Sequence, residues 1–228
     1  MPRISIKLAA AVLAAGMAVA ACGTVKMGAA AILGSQRVSS TTLSAEVANL
    51  SAGYQADKRQ IQLQYPVSQM PQEVLGWIVR FSVRDRLAAR ERITVTPTEV
   101  QQALAAITAQ IRQSGQAATL SEVAVANGLP PDMITDLGRY QAIETKLVDR
   151  LDGGRLPSSA SAQQALETKF DMSACKAAKS LDIQINPQFG TLDYRDFSIA
   201  LASSMLSKPQ AASTPTPAAS RPASAPPC

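Results

Sequence analysis

The chain has 228 residues, 22 of them lysine or arginine and 17 aspartate or glutamate, and it contains no histidine. The missing imidazole excludes Ser-His-Asp and Cys-His nucleophile activation, histidine-based metal sites and imidazole acid/base chemistry. Aromatic residues make up only 4% while alanine is abundant, so close helix packing has to supply much of the burial.

Arg3 and Lys7 precede an uncharged apolar run from Leu8 to Ala21. A permanent span of a hydrocarbon core about 30 Å thick needs about 20 apolar residues, and this run is shorter, as in the apolar region of a signal peptide. Val19-Ala20-Ala21-Cys22 resembles the lipobox of bacterial lipoproteins. The expectation is that residues 1–21 are removed, that Cys22 carries diacylglyceryl, and that residues 22–28 tether the protein to the extracytoplasmic face of a cell membrane. Two acyl chains on one cysteine satisfy the requirement for stable anchoring. An ordinary secretory signal with an incidental Cys22 is the simpler alternative. Removing Arg3 and Lys7 leaves a basic excess of three, too balanced to argue for nucleic acid. Export permits a disulfide between Cys175 and Cys228; because Cys228 lies in a segment expected to be flexible, a buried, inert Cys175 is the favoured reading.

Ala29–Leu33 and the residues after Gly34-Ser35 read as a small hairpin. Ser39 or Ser40 can cap a helix with Leu43, Val47 and Leu50 on its buried stripe, continuing past Gly53 toward Leu63. Tyr65-Pro66 breaks that pattern, and a second helix begins near Ser68 with Pro71 in its first turn. Val74, Trp77, Ile78 and Phe81 share one of its faces. Thr96-Pro97-Thr98-Glu99 combines a threonine cap, a proline at the first helical position and a glutamate placed for a capping box. Val100, Leu104, Ile107 and Ile111 follow at helical spacing up to Ser114-Gly115. Thr119 and Glu122 repeat the capping-box spacing. Pro130-Pro131 opens a helix carrying Met133, Leu137, Tyr140, Leu147 and Leu151, which Gly153-Gly154 ends.

After a linker over 155–160, Ser161 to Ala178 reads as helix with Leu166 and Phe170 inward and a break near Asp171. Leu181 to Ile185 alternates with period two, the pattern of a half-buried strand, before the turn at 186–190. Residues 208–228 are rich in proline, alanine, serine and threonine and are expected to stay extended and disordered. The expected fold is α+β and mainly helical, one domain over residues 29–200, with the N-terminal hairpin and a C-terminal strand forming a small sheet.

These elements in this order resemble the N-terminal domain of SurA-like periplasmic chaperones, a family related to the trigger-factor substrate-binding region. The resemblance rests on Ala29 to Ser39, the helix containing Trp77 to Arg92, the step from Arg92 to Val100 and the helix from Pro131 to Leu151. The Ile183 to Gly190 stretch looks like the closing strand of lipoproteins with this domain. Larger members carry a parvulin-type prolyl isomerase domain, for which the interval from Gly154 to Leu181 is too short, and the histidines of parvulin active sites are absent. The resemblance therefore implies peptide handling without chemistry: a membrane-tethered chaperone for unfolded or secreted polypeptides, not an enzyme, with no cofactor or metal. A structural lipoprotein that binds one folded envelope partner is the alternative, and nothing in the pattern sets an oligomeric state.

Trp77, Phe81, Met133 and Tyr140 are the candidate peptide-binding residues. Large residues on a helical stripe read first as core, and as the wall of a groove second. Asp132 with Asp136 and Asp193 with Asp196 read as caps and surface charge.

Overall fold

The computed structural model describes residues 28–115, 117–154 and 159–201. The expected leader (1–21), the lipid-bearing Cys22, its tether up to residue 27 and the tail (208–228) lie outside the described residues.

Strands β1 (Ala29–Leu33) and β2 (Gln36–Ser39) form an antiparallel hairpin, with Gly34 supplying the left-handed turn conformation at φ +65°. On its other edge β1 pairs antiparallel with β3 (Gln184–Ile185), Ala31 facing Ile185 and Ile32 facing Gln184. The sheet thus joins the two ends of the domain as expected. Because β1 is the middle strand, Ala29, Ala30, Ala31 and Leu33 are all buried, and their small side chains let helices approach closely. Only the last two residues of the expected strand pair, since Asp182 takes a left-handed conformation at φ +45° that ends the preceding helix. Asn186 continues the pairing: its backbone N–H donates to Ala30 O at 2.9 Å and its side-chain amide to Ala29 O at 2.8 Å.

The described residues form six helices, of which α1 and α2 pack on this sheet: α1 (Ser40–Asp57), α2 (Met70–Arg90), α3 (Pro97–Gln113), α4 (Leu120–Ala126), α5 (Ile134–Asp152) and α6 (Ala160–Ser180). Ser39 caps α1 by accepting from Thr42 N–H, and both expected capping boxes form, Thr96 with Glu99 and Thr119 with Glu122. The Lys146 ammonium and the Thr96 backbone and hydroxyl groups hold the Glu99 carboxyl down at about 2. Helix α1 ends at Asp57, short of the expected Leu63. The chain turns there so that Ile61 enters the core and Gln64 N–H bonds to Ala126 O at 2.9 Å, a direction no continuing helix could take. Conversely α6 runs unbroken through Asp171, because that residue sits on its exposed face and interrupts nothing.

Helix α2 is the axis of the molecule. Val74, Leu75, Val79 and Leu87 are buried in the main core with Leu43 and Leu50 of α1, Leu147 of α5, and Ala174, Ala177 and Ala178 of α6. A second hairpin, β4 (Thr191–Asp193) with β5 (Ser198–Ala200), lies across its N-terminal half; Gly76 passes 3.6 Å from Phe197 O, measured from where a Cβ would stand. The hairpin was not anticipated from the sequence. Its short strands alternate weakly, and the turn is built by Asp193 and Asp196, whose carboxylates accept from the backbone N–H groups of Arg195 and Ser198. That is the capping role expected of these two aspartates.

Helix α3 is seated mainly on α5, through Gly138. A Cβ there would stand 2.7 Å from Leu104 Cγ and 2.9 Å from Val100 Cγ1, neither of which is the free end of a flexible chain. Gly138→Ala gains up to about 1 kcal/mol of helix propensity but overpacks this contact, so a net loss of about 1–2 kcal/mol is expected in urea unfolding. A stabilised variant would show that α3 is not seated at this glycine.

Candidate functional site

The four candidate residues come together, but as a seam rather than an open groove. Trp77 and Phe81 stand one turn apart on α2 with ring centroids 5.6 Å apart, and Phe81 meets Tyr140 of α5 edge-on at 5.9 Å. Trp77, Phe81 and buried Met133 pack with Ala124 and Leu129 into a small second core. The indole N–H of Trp77 donates to Asn127 O at 2.9 Å, which ties α2 to the end of α4. Arg80 closes the outer side, its guanidinium 4.9 Å from the Trp77 ring.

Arg84 continues the seam inward and is almost fully buried at 7% exposure. Its guanidinium lies 4.0 Å from the Tyr140 ring centre and 4.6 Å from that of Phe170, donates to the Tyr140 hydroxyl, and pairs with Glu144 at 3.5 Å. A delocalised, weakly hydrated cation between two aromatic faces is the residue type that tolerates such a place. Arg84 thereby joins α2, α5 and α6. Arg84→Ala should cost about 2–3 kcal/mol from lost stacking, hydrogen bonding and packing, and Arg84→Lys should recover less than half, since an ammonium cannot stack on both rings. Full recovery by lysine in thermal unfolding would reduce Arg84 to a point charge.

Above this arginine the surfaces of α5 and α6 diverge. They leave an open groove of about 720 Å³ with Val148, Leu166 and Phe170 along it, together with Glu144, Glu167 and Asp171. Phe170 is shared: its ring receives Arg84 and also lines the groove. Glu144 is partly compensated by Arg84, and Glu167 accepts from Gln163 at 3.4 Å. The groove is therefore mixed, with Val148, Leu166 and Phe170 set among Gln163 and three carboxylates. Reasoning from sequence missed it, because it is made by two helices meeting; the available signal was the neighbouring apolar and acidic pairs Leu166-Glu167 and Phe170-Asp171.

A second cleft of about 300 Å³ opens between β2, α1, α2 and the start of α5, where Phe81 and Met133 do reach its wall. Glu46, Asp85 and Asp136 face it beside Arg37, and Asp85 is paired with Arg139 at 2.8 Å. Asp132 lies close by, held by Asn49, whose amide donates to its carboxylate at 2.8 Å. Among the described residues no three acidic, cysteine or histidine side chains are placed to hold a metal. Burial first, then the charges of Asp132 and Asp136, push the Glu46 carboxyl above its ordinary value, and its Oε2 is buried without a hydrogen-bond partner. A carboxyl raised in the folded state is disfavoured when ionised, so its cost is present at neutral pH and relieved as pH falls through its folded pKa. Glu46→Gln should accordingly be more stable than the parent at pH 7, with the difference closing in acid. A constant difference between pH 7 and pH 4 in denaturant unfolding would assign the effect to packing.

Cys175 is buried on α6 and disulfide-bonded, which corrects the reading of an inert thiol. Among the described residues no helix is long and apolar enough to cross a membrane. No family model, curated protein or solved structure matches the chain.

Proposed function

We propose that this chain is a lipid-anchored, non-catalytic holding chaperone that receives extended segments of unfolded exported polypeptides in the groove between α5 and α6. The observation that carries the reading is the groove itself: an open trough of about 720 Å³ in which Val148, Leu166 and Phe170 are interleaved with acidic side chains. Such a surface suits extended chains in which apolar residues alternate with lysine or arginine. Apolar contact supplies binding without demanding one sequence, and the carboxylates attract cationic segments and disfavour acidic ones. The resemblance of the element order to SurA-like N-terminal domains supports the same class of client. The basic residues, apolar run and small-residue context before Cys22 support the anchor. With no histidine in the chain, the usual imidazole proton shuttle for chemistry on a bound peptide is missing.

The test is suppression of light scattering when denatured clients of differing charge are diluted into the soluble form, residues 23–228. Suppression is expected to be strongest for basic clients. Replacing both Glu167 and Asp171 with lysine should weaken it for those clients by about fivefold at low ionic strength, an exposed ion pair being worth up to about 1 kcal/mol. That difference should fade at high salt, whereas Phe170→Ser should weaken holding at every ionic strength. Unchanged aggregation of several clients at excess protein would overturn the holding function and leave a scaffold that binds one folded partner.

A further inference from the structure

We propose that the cleft between β2, α1, α2 and the start of α5 is a second seat for the client segment held in the α5–α6 groove, so that one extended chain with two apolar and basic stretches occupies both. This deepens the holding-chaperone reading and rests on it. The two openings share their chemistry. In the cleft, Ile78, Phe81 and Met133 form an apolar wall, and Glu46, Asp85 and Asp136 stand against one basic residue, Arg37. Arg139 takes up Asp85, whereas the side chains of Glu46 and Asp136 have no ion-pair partner among the described residues. Burial first, then neighbouring carboxylates, push both of these groups above their ordinary values. An ammonium or guanidinium entering the cleft therefore meets two carboxylates whose charge is under-compensated.

The fold places the two seats in line. Asp136, which faces the cleft, and Glu144 and Val148, which face the groove, lie with Tyr140 at four-residue spacing on α5. The stripe winds about a third of the way round the helix and rises roughly 12 Å to Glu144 and roughly 18 Å to Val148. The rings follow the same path. Phe81 of the cleft wall meets Tyr140 edge-on, the Arg84 guanidinium lies over both Tyr140 and Phe170, and Phe170 lines the groove. An extended chain at about 3.3 Å per residue covers the distance in roughly four to six residues. The preferred client thus carries two apolar and basic stretches at that separation. Seating one stretch raises the effective concentration of the other at its own seat, so affinity rises with no further contact.

The experiment measures, by fluorescence anisotropy, the binding of labelled peptides to the purified full chain. The peptides carry a single leucine–arginine pair, two such pairs adjacent, or two pairs set about five residues apart by a glycine–serine spacer. The spaced peptide is expected to bind about tenfold tighter than the adjacent one. Glu46→Gln with Asp136→Asn, and separately Glu167→Lys with Asp171→Lys, should each remove that gain. Equal affinity of the spaced and adjacent peptides would overturn the second seat without any variant, and so would a gain that survives the changes at Glu46 and Asp136. The underlying reading is scored apart: binding of the single pair with no gain from spacing leaves the holding function standing. Binding of none of the peptides also overturns the second seat, and the holding function falls with it only where client aggregation is unsuppressed as well.

Discussion

Most of this domain is arranged around the need to cover α2 on nearly all sides. Val74, Leu75, Val79, Val83, Leu87 and Ala88 are all buried, and they do not fall on one narrow stripe. A helix apolar over most of its circumference needs several partners at once. Here α1, α5, α6, β1 and the β4–β5 hairpin share the task. Alanines on β1 and α6 and glycine at position 76 allow that many neighbours to approach one cylinder. With few aromatics in the chain, burial comes from close approach of backbones rather than from bulk.

Four of the nine aromatic residues lie along the junction of α2 with α5 and α6, and the other five pack against the main core elsewhere. Trp77, Phe81, Tyr140 and Phe170 form an interrupted line, and Arg84 is inserted into it as a charged spacer. Its charge is offset by Glu144 and spread over two ring faces, so the cation bridges three helices without a fully hydrated site. The same arrangement sets the outer surface. Once Phe170 is held from below by Arg84, its remaining surface is available to the groove, and structural and binding roles meet in one ring.

Much of the fold could be read from local chemistry. The capping boxes at Thr96 and Thr119, the serine cap before α1 and the Gly34 turn were legible because each is decided within a few residues. The end of α1 was not, since the redirection of Ile61 depends on Ala126, far along the chain. The second hairpin escaped for a related reason: three-residue strands carry almost no periodic signal and are stabilised by lying on α2. At the candidate site, the structure places the candidate peptide-binding residues Trp77, Phe81, Met133 and Tyr140 along one seam. Whether such a stripe faces core or groove depends on which helices cover it, and that is a tertiary property. The α5–α6 groove had no representation in any single window of sequence.

The pairing of β1 with β3 has a consequence for how the protein is made. A chain that emerges N-terminus first presents Ala29–Leu33 long before Gln184–Asn186 exist, and a hairpin of two short strands is marginal by itself. The sheet can close only after more than 150 further residues have appeared, a strongly non-local step in the sense that slows folding. Until then β1 has one uncovered edge of backbone groups and four buried-type residues without a core. Completion of the domain is thus coupled to the arrival of its own last third, and a chain interrupted before Asn186 is left with an edge open to other strands.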